Sequence, residues 1–143
     1  MGETRDSGPD PDEITSWMTS TYPDTVVATA LGATFFSLDA SSWPNFATIV
    51  TTDEHDMGTP SDLARPGVFR LNLGVGKETF ERLVGGVEDP DYAVLDRVVP
   101  HPVYAKQRWI GILNPSRATF EDVVKPLVAE AYERLARQHR LRG

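Results

Sequence analysis

A chain of 143 residues with 40% hydrophobic content is long enough to fold as one domain around its own core, and its lack of cysteine excludes disulfides, thiolate metal sites and cysteine nucleophiles. The formal charge of −7 repels phosphate backbones unless cations gather on one face, which argues against a nucleic-acid partner. No apolar run reaches the roughly 18 residues a membrane helix needs, and the opening MGETRDSGPDPDE lacks the basic and apolar regions of an export signal, so the expectation is a cytoplasmic protein with no membrane contact.

Residues 1–9 offer little to bury and read as a disordered tail, with one domain over residues 10–143. Asp10-Pro11-Asp12-Glu13 then sets a side-chain acceptor at the N-cap, a proline at the first helical position and Glu13 at N3, where it would complete a capping box. Ile14, Trp17 and Met18 follow at helical spacing, and Tyr22-Pro23-Asp24 stops the helix.

From Thr25 the period shortens. Val26, Val27 and Ala28, a turn at Gly32, and Thr34, Phe35, Phe36 and Leu38 suit a hairpin. Phe46, Thr48, Val50 and Thr52 alternate against Ala47, Ile49 and Thr51, a central strand buried on both faces. Asp53 to Gly67 is turn chemistry. In the strand from Val68 to Leu73, alternation sets Arg70 and Asn72 on the face opposite Phe69, Leu71 and Leu73.

Phe80, Leu83 and Val84 mark a short amphipathic helix from Lys77, which Gly85-Gly86 ends. A loop of about twenty residues leads to the last strand, Trp109 to Leu113, closed by Asn114-Pro115. The final helix carries Phe120, Val123, Val124, Leu127, Val128, Ala131, Tyr132, Leu135 and Ala136 on one face, with Thr119 as its cap and Asp122 at N3. Pro126 lies inside it and deprives the Asp122 carbonyl of its donor, which predicts a kink or restart near Lys125. The order gives an α+β fold, α-β(5)-α, an antiparallel sheet with the terminal helices on one face and the short helix inserted between strands 4 and 5.

Three stretches carry candidate chemistry. GVGKET, residues 74–79, is a glycine-rich turn between strand and helix that could aim backbone N–H groups and Lys77 at an anion, although Leu71 stands where a phosphate-binding loop needs its first glycine. DEHD, residues 53–56, offers oxygen and nitrogen donors, but neighbours in an extended segment face opposite ways, so no metal site is assigned. HPVYAKQRW, residues 101–109, gathers His101, Tyr104, Arg108 and Trp109; a histidine beside a phenol can do acid–base work, and the bland alternative is a loop stiffened by Pro100 and Pro102, with Trp109 filling the space between sheet and helix. Arg134, Arg137, Arg140 and Arg142 suit the negative end of the last helix's dipole.

The run KQRWIGIL followed by FEDVVKPLVAEAYERLA resembles the C-terminal half of the MmcQ/YjbR-like family, with Lys106, Trp109 and Tyr132 in the positions of that family's Lys, Trp and Tyr. TFFSLD, FATIVTTD, RPGVFRLNLGVGKETF and HPVYAKQRWIGILNP look closer to a bacterial domain family of unknown function, itself read as a distant branch of that group. The resemblance implies an α-β(5)-α core similar to secretion chaperones and frataxin-like proteins, and a DNA-binding label that the charge of −7 does not suit.

The expectation is therefore a small-molecule or partner-binding module, monomeric or weakly dimeric, that needs no cofactor. Arg70 and Lys77 would hold an anionic group, His101 and Tyr104 would hydrogen-bond, and Trp109 would stack. The alternatives are a biosynthetic enzyme using His101, with Tyr104, as acid or base, and a DNA-binding protein using the C-terminal arginines.

Overall fold

The computed structural model describes residues 8–41, 44–56 and 58–142, the side chains of residues 141 and 142 excepted. Helix α1 spans Pro11–Thr21 and is capped by Asp10, whose carboxylate accepts the Glu13 N–H at 2.8 Å. Glu13 does not close the capping box; its carboxylate pairs with Arg117 at 2.6 Å, joining the starts of the first and last helices. Seven residues of the expected tail lie outside the described residues, but Pro9 is buried and Gly8 lies against Pro115.

Strands β1 (Val26–Ala30) and β2 (Ala33–Ser37) form a hairpin whose two-residue loop places Leu31 and Gly32 at φ 51° and 76°, the left-handed pair that matches strand twist in tight hairpins. Strand β3 (Asn45–Val50) pairs with β2, and β4 (Arg70–Gly74) pairs with β3. After helix α2 (Lys77–Val84) the chain runs to β5 (Val98–Pro100) at the outer edge, then returns as β6 (Trp109–Leu113) between β5 and β4. The order is β1-β2-β3-β4-β6-β5, antiparallel throughout these pairings. Among the described residues the sheet thus has six strands, one more than expected. The extra strand is only three residues long, too short to display a period, and its edge position tolerates Pro100.

The last helical segment begins one turn earlier than expected. Ser116, not Thr119, is the cap, its hydroxyl accepting the Thr119 N–H at 3.2 Å. Helix α3 (Arg117–Thr119) passes into a π turn over Phe120–Val124, and α4 (Lys125–Arg142) continues to the end. The interruption falls where Pro126 withdraws a donor, and the widened turn absorbs the residue that regular winding has no bond for.

Ile14 and Met18 of α1, Val84 of α2, and Val124, Leu127, Val128, Ala131 and Leu135 of the C-terminal helix share one core with Phe36, Ile49, Leu71, Leu73, Ile110 and Ile112 of the sheet. All these helices therefore cover the same face. A β-bulge adjusts the middle of this layer: Phe36 pairs with Ala47 and Ser37 with Asn45, so Phe46 is supernumerary. Phe46 and Ala47 both join the helix-side core, which corrects the simple alternation that put Phe46 with Thr48 and Val50. A smaller cluster of Ala33, Val50, Leu63 and Leu113, with Phe35 and Val68, lies on the other face, under the 53–67 connection.

A candidate binding cleft on the helix-free face

Registers across β2, β3, β4, β6 and β5 align Phe35, Thr48, Asn72, Gly111 and Val99 in one row, and Ala33, Val50, Arg70 and Leu113 in the next. With the helices behind, these rows form the floor of a cleft of about 420 Å³. Its walls are His55 and Asp56 from the 53–67 connection and His101, Tyr104 and Gln107 from the loop before β6, with Trp109 at one end.

Gly111 makes room for this floor. A Cβ there would lie 3.0 Å from Cδ of Arg70 and 3.1 Å from Oδ1 of Asn72, so the bare backbone lets the arginine stem lie across the sheet. The Arg70 guanidinium then meets Asp56 through two bonds, Nη1 to Oδ2 and Nη2 to Oδ1, each 2.9 Å, with each side chain 1% exposed. Nη1 also donates to the Ser61 hydroxyl at 2.9 Å, and Nε donates to Oδ1 of Asn72 at 2.7 Å. Asn72 passes the chain on, its Nδ2 donating to Thr48 Oγ1 at 2.9 Å. Fork-to-fork geometry of this kind is what makes a buried arginine tolerable. Burial on the sheet side was legible from alternation, but Arg70 gives its charge to Asp56 rather than to open space.

Lys77 is not part of this arrangement. It is exposed at the start of α2, away from the cleft, and the N-terminus it opens is already occupied by a carboxylate of the chain itself. Glu130 of α4 accepts the Gly76 N–H and the Thr79 hydroxyl, both at 2.8 Å. GVGKET thus docks one helix onto another.

His101 is 5% exposed and its Nδ1 accepts two backbone N–H groups, from Val103 and Tyr104, both at 3.0 Å. An acceptor Nδ1 leaves the hydrogen of the neutral ring on Nε2. Burial, reinforced by the Arg70 charge and opposed by that of Asp56, pushes its pKa down to about 4. The ring is therefore uncharged at neutral pH and offers a donor, with its basic nitrogen already engaged; this geometry does not suit the general-base role considered from sequence. Tyr104, 51% exposed, stands at the rim with its ring centroid 5.1 Å from that of His101.

Trp109 does not fill the space between sheet and helix. It lies on the helix-free face over Gly74, its β4 partner, where a Cβ would come within 2.9 Å of the indole Cε2. Across the cleft, His55 Nε2 bonds the Leu31 carbonyl at 2.8 Å and its ring meets the Phe35 ring edge-on. Both aspartates of DEHD are similarly engaged: Asp53 accepts the Leu63 N–H at 3.1 Å and Asp56 holds Arg70. Among the described residues no cluster of three or more His, Asp or Glu is placed to hold a metal ion, and no helix is long and apolar enough to cross a membrane. On α4, Arg137 and Arg140 are exposed, Arg140 pairs with Glu133 at 3.4 Å, and the Arg142 side chain lies outside the described residues.

Arg70, His101, Tyr104 and Trp109 are thus brought together as the sequence suggested, and Lys77 is not. Sequence reasoning missed the parts played by Asp56, Asn72, Thr48, His55 and Phe35. Asn72 carried a usable signal, since alternation set it on the face opposite Phe69, Leu71 and Leu73; nothing in the spacing of Asp56 announced its partner fourteen positions on.

No curated protein and no solved structure matches the chain. A family model described as "Family of unknown function (DUF6194)" matches residues 9–143, and the chain belongs to that family.

Proposed function

We propose that this protein is a small-molecule-binding module acting as one domain over residues 10–143, with the helix-free cleft as its site. The supporting observation is the floor: a buried Asp56–Arg70–Asn72–Thr48 network fixes polar groups at the base of a cleft of about 420 Å³ that is also lined by the aromatic rings of Phe35, Tyr104 and Trp109. Concave, largely apolar sites with a few positioned polar groups are the usual form of a small-molecule site. A hydrogen-bond chain on a sheet's outer face also gives no large gain in stability over an apolar floor, so its presence fits selection for recognition.

Kinship with MmcQ/YjbR-like proteins and a cytoplasmic location belong to the same reading. The kinship rests on Lys106, Trp109 and Tyr132, of which Trp109 faces the cleft and Tyr132 stacks on Tyr22 in the helical layer, ring centroids 4.3 Å apart.

The test is a thermal-shift screen of the full chain against a metabolite library, repeated with Trp109→Ala and Tyr104→Ala. At least one compound should raise the melting temperature of the natural chain, and both variants should lose that rise. A library without any stabilising compound, or a rise that both variants retain, overturns the proposal.

A further inference from the structure

The two histidines that line the cleft are held in the same tautomer, but through opposite ring nitrogens. His101 uses Nδ1 to accept the Val103 and Tyr104 N–H groups, so its Nε2 carries the hydrogen. His55 bonds the Leu31 carbonyl through Nε2; a carbonyl can only accept, so that nitrogen carries the hydrogen, and Nδ1 of the neutral ring is left with a lone pair. Of the two imidazoles that line the cleft, one thus has an N–H outside its backbone bonds and the other a lone pair.

Its floor is balanced in charge. The Arg70 cation meets the Asp56 anion through two bonds and both are buried, so a ligand meets a matched pair rather than a free cation. A carboxylate or phosphate entering here would lose its hydration without gaining a counter-charge, on a protein that already carries −7. Beyond the pair, after their mutual bond Asn72 Nδ2 keeps its second hydrogen and the Thr48 hydroxyl keeps its single one. The rings of Phe35, Tyr104 and Trp109 supply flat apolar surface.

Resting on the small-molecule reading above, we infer that the cleft selects an uncharged planar ligand carrying an amide or lactam, its carbonyl received by His101 Nε2 and its N–H by His55 Nδ1. An uncharged ligand with only an acceptor would leave the His55 lone pair desolvated and unmatched. An unmatched buried polar group is a stronger discriminator than any gain in contact.

Three matched probes test this on the full chain: benzamide, N,N-dimethylbenzamide and benzoate, followed by Trp109 fluorescence and by the ring nitrogen resonances of His55 and His101. Benzamide should bind at least tenfold more tightly than either analogue and should move the resonances of both histidines. His101→Asn, whose side-chain oxygen can take over the turn while its amide is too short to reach the ligand, should fold and lose about tenfold in benzamide affinity. Preference for benzoate would overturn the ligand class while leaving a small-molecule site in place; equal binding of benzamide and its dimethyl analogue would overturn the role of His55. Silence from all three probes overturns the inference, and the broader reading then stands or falls on the metabolite screen.

Discussion

Arg70 and Asp56 clasp one another through two bonds of 2.9 Å at the base of the cleft, both side chains sealed from solvent. Removing one member strands the other, so Asp56→Leu or Arg70→Met should each lower stability by about 3–5 kcal/mol. The double substitution Arg70→Met with Asp56→Leu should lose much less than the sum of the two. Urea unfolding of the four proteins measures the coupling, and strictly additive losses would show the contact to be energetically idle.

His101 makes stability depend on pH. Its folded pKa, about 4, lies below the ordinary histidine value of 6.5, so between those values the unfolded chain binds a proton that the folded chain refuses. Stability from the neutral ring is complete above pH 6.5 and falls as pH drops toward 4, by on the order of 3 kcal/mol across the window. Denaturation midpoints of the natural chain and His101→Asn should therefore converge as pH falls from 7 to 4. Parallel curves would place the titration elsewhere.

Two glycines set the shape of the cleft, and each should resist alanine for its own reason. Gly111→Ala drives a methyl into Arg70 and Asn72 and should cost about 1–3 kcal/mol through overpacking. Gly74→Ala pushes on the Trp109 indole, a side chain at an open face that can swing away. Its stability loss should be smaller and its signature optical: a red-shifted Trp109 emission, assigned by comparison with Trp109→Phe.

Glu130 joins two helices through the Gly76 N–H and the Thr79 hydroxyl. Glu130→Ala should cost about 1–2 kcal/mol, the scale of losing a helix cap. Amide exchange should quicken first at Gly76 and Phe80, at the start of α2, while the cleft stays intact. Since Lys77 is outside the cleft, Lys77→Ala should leave ligand affinity unchanged in the same assay.

What the sequence disclosed follows from how far each cause reaches along the chain. Asp10 with Pro11, the Val26–Phe36 hairpin, the Phe80–Val84 stripe and the break at Pro126 are local, and each emerges where spacing puts it. Alternation likewise put Arg70 and Asn72 on the face away from the helices. Three residues at Val98–Pro100 are too few for a period, so the sixth strand stayed hidden in a long loop. The bulge at Phe46 breaks alternation from within, because Phe is apolar enough for either face. The site's central bonds, Arg70 to Asp56 and His55 to Leu31, join residues separated by turns, where no repeat relates one to the other.

The supernumerary Phe46 has a consequence on each side of the sheet. It turns with Ala47 toward the helices, while Asn45 keeps to the opposite surface, where that residue lines the cleft beside Thr48. Excising Phe46 would therefore close the ladder without moving Asn45, which would stay opposite Ser37 on the ligand's side, while the oily layer lost one ring. The small irregularity thus lets one strand lend an additional ring to the interior while keeping an amide at the mouth of the opposite surface.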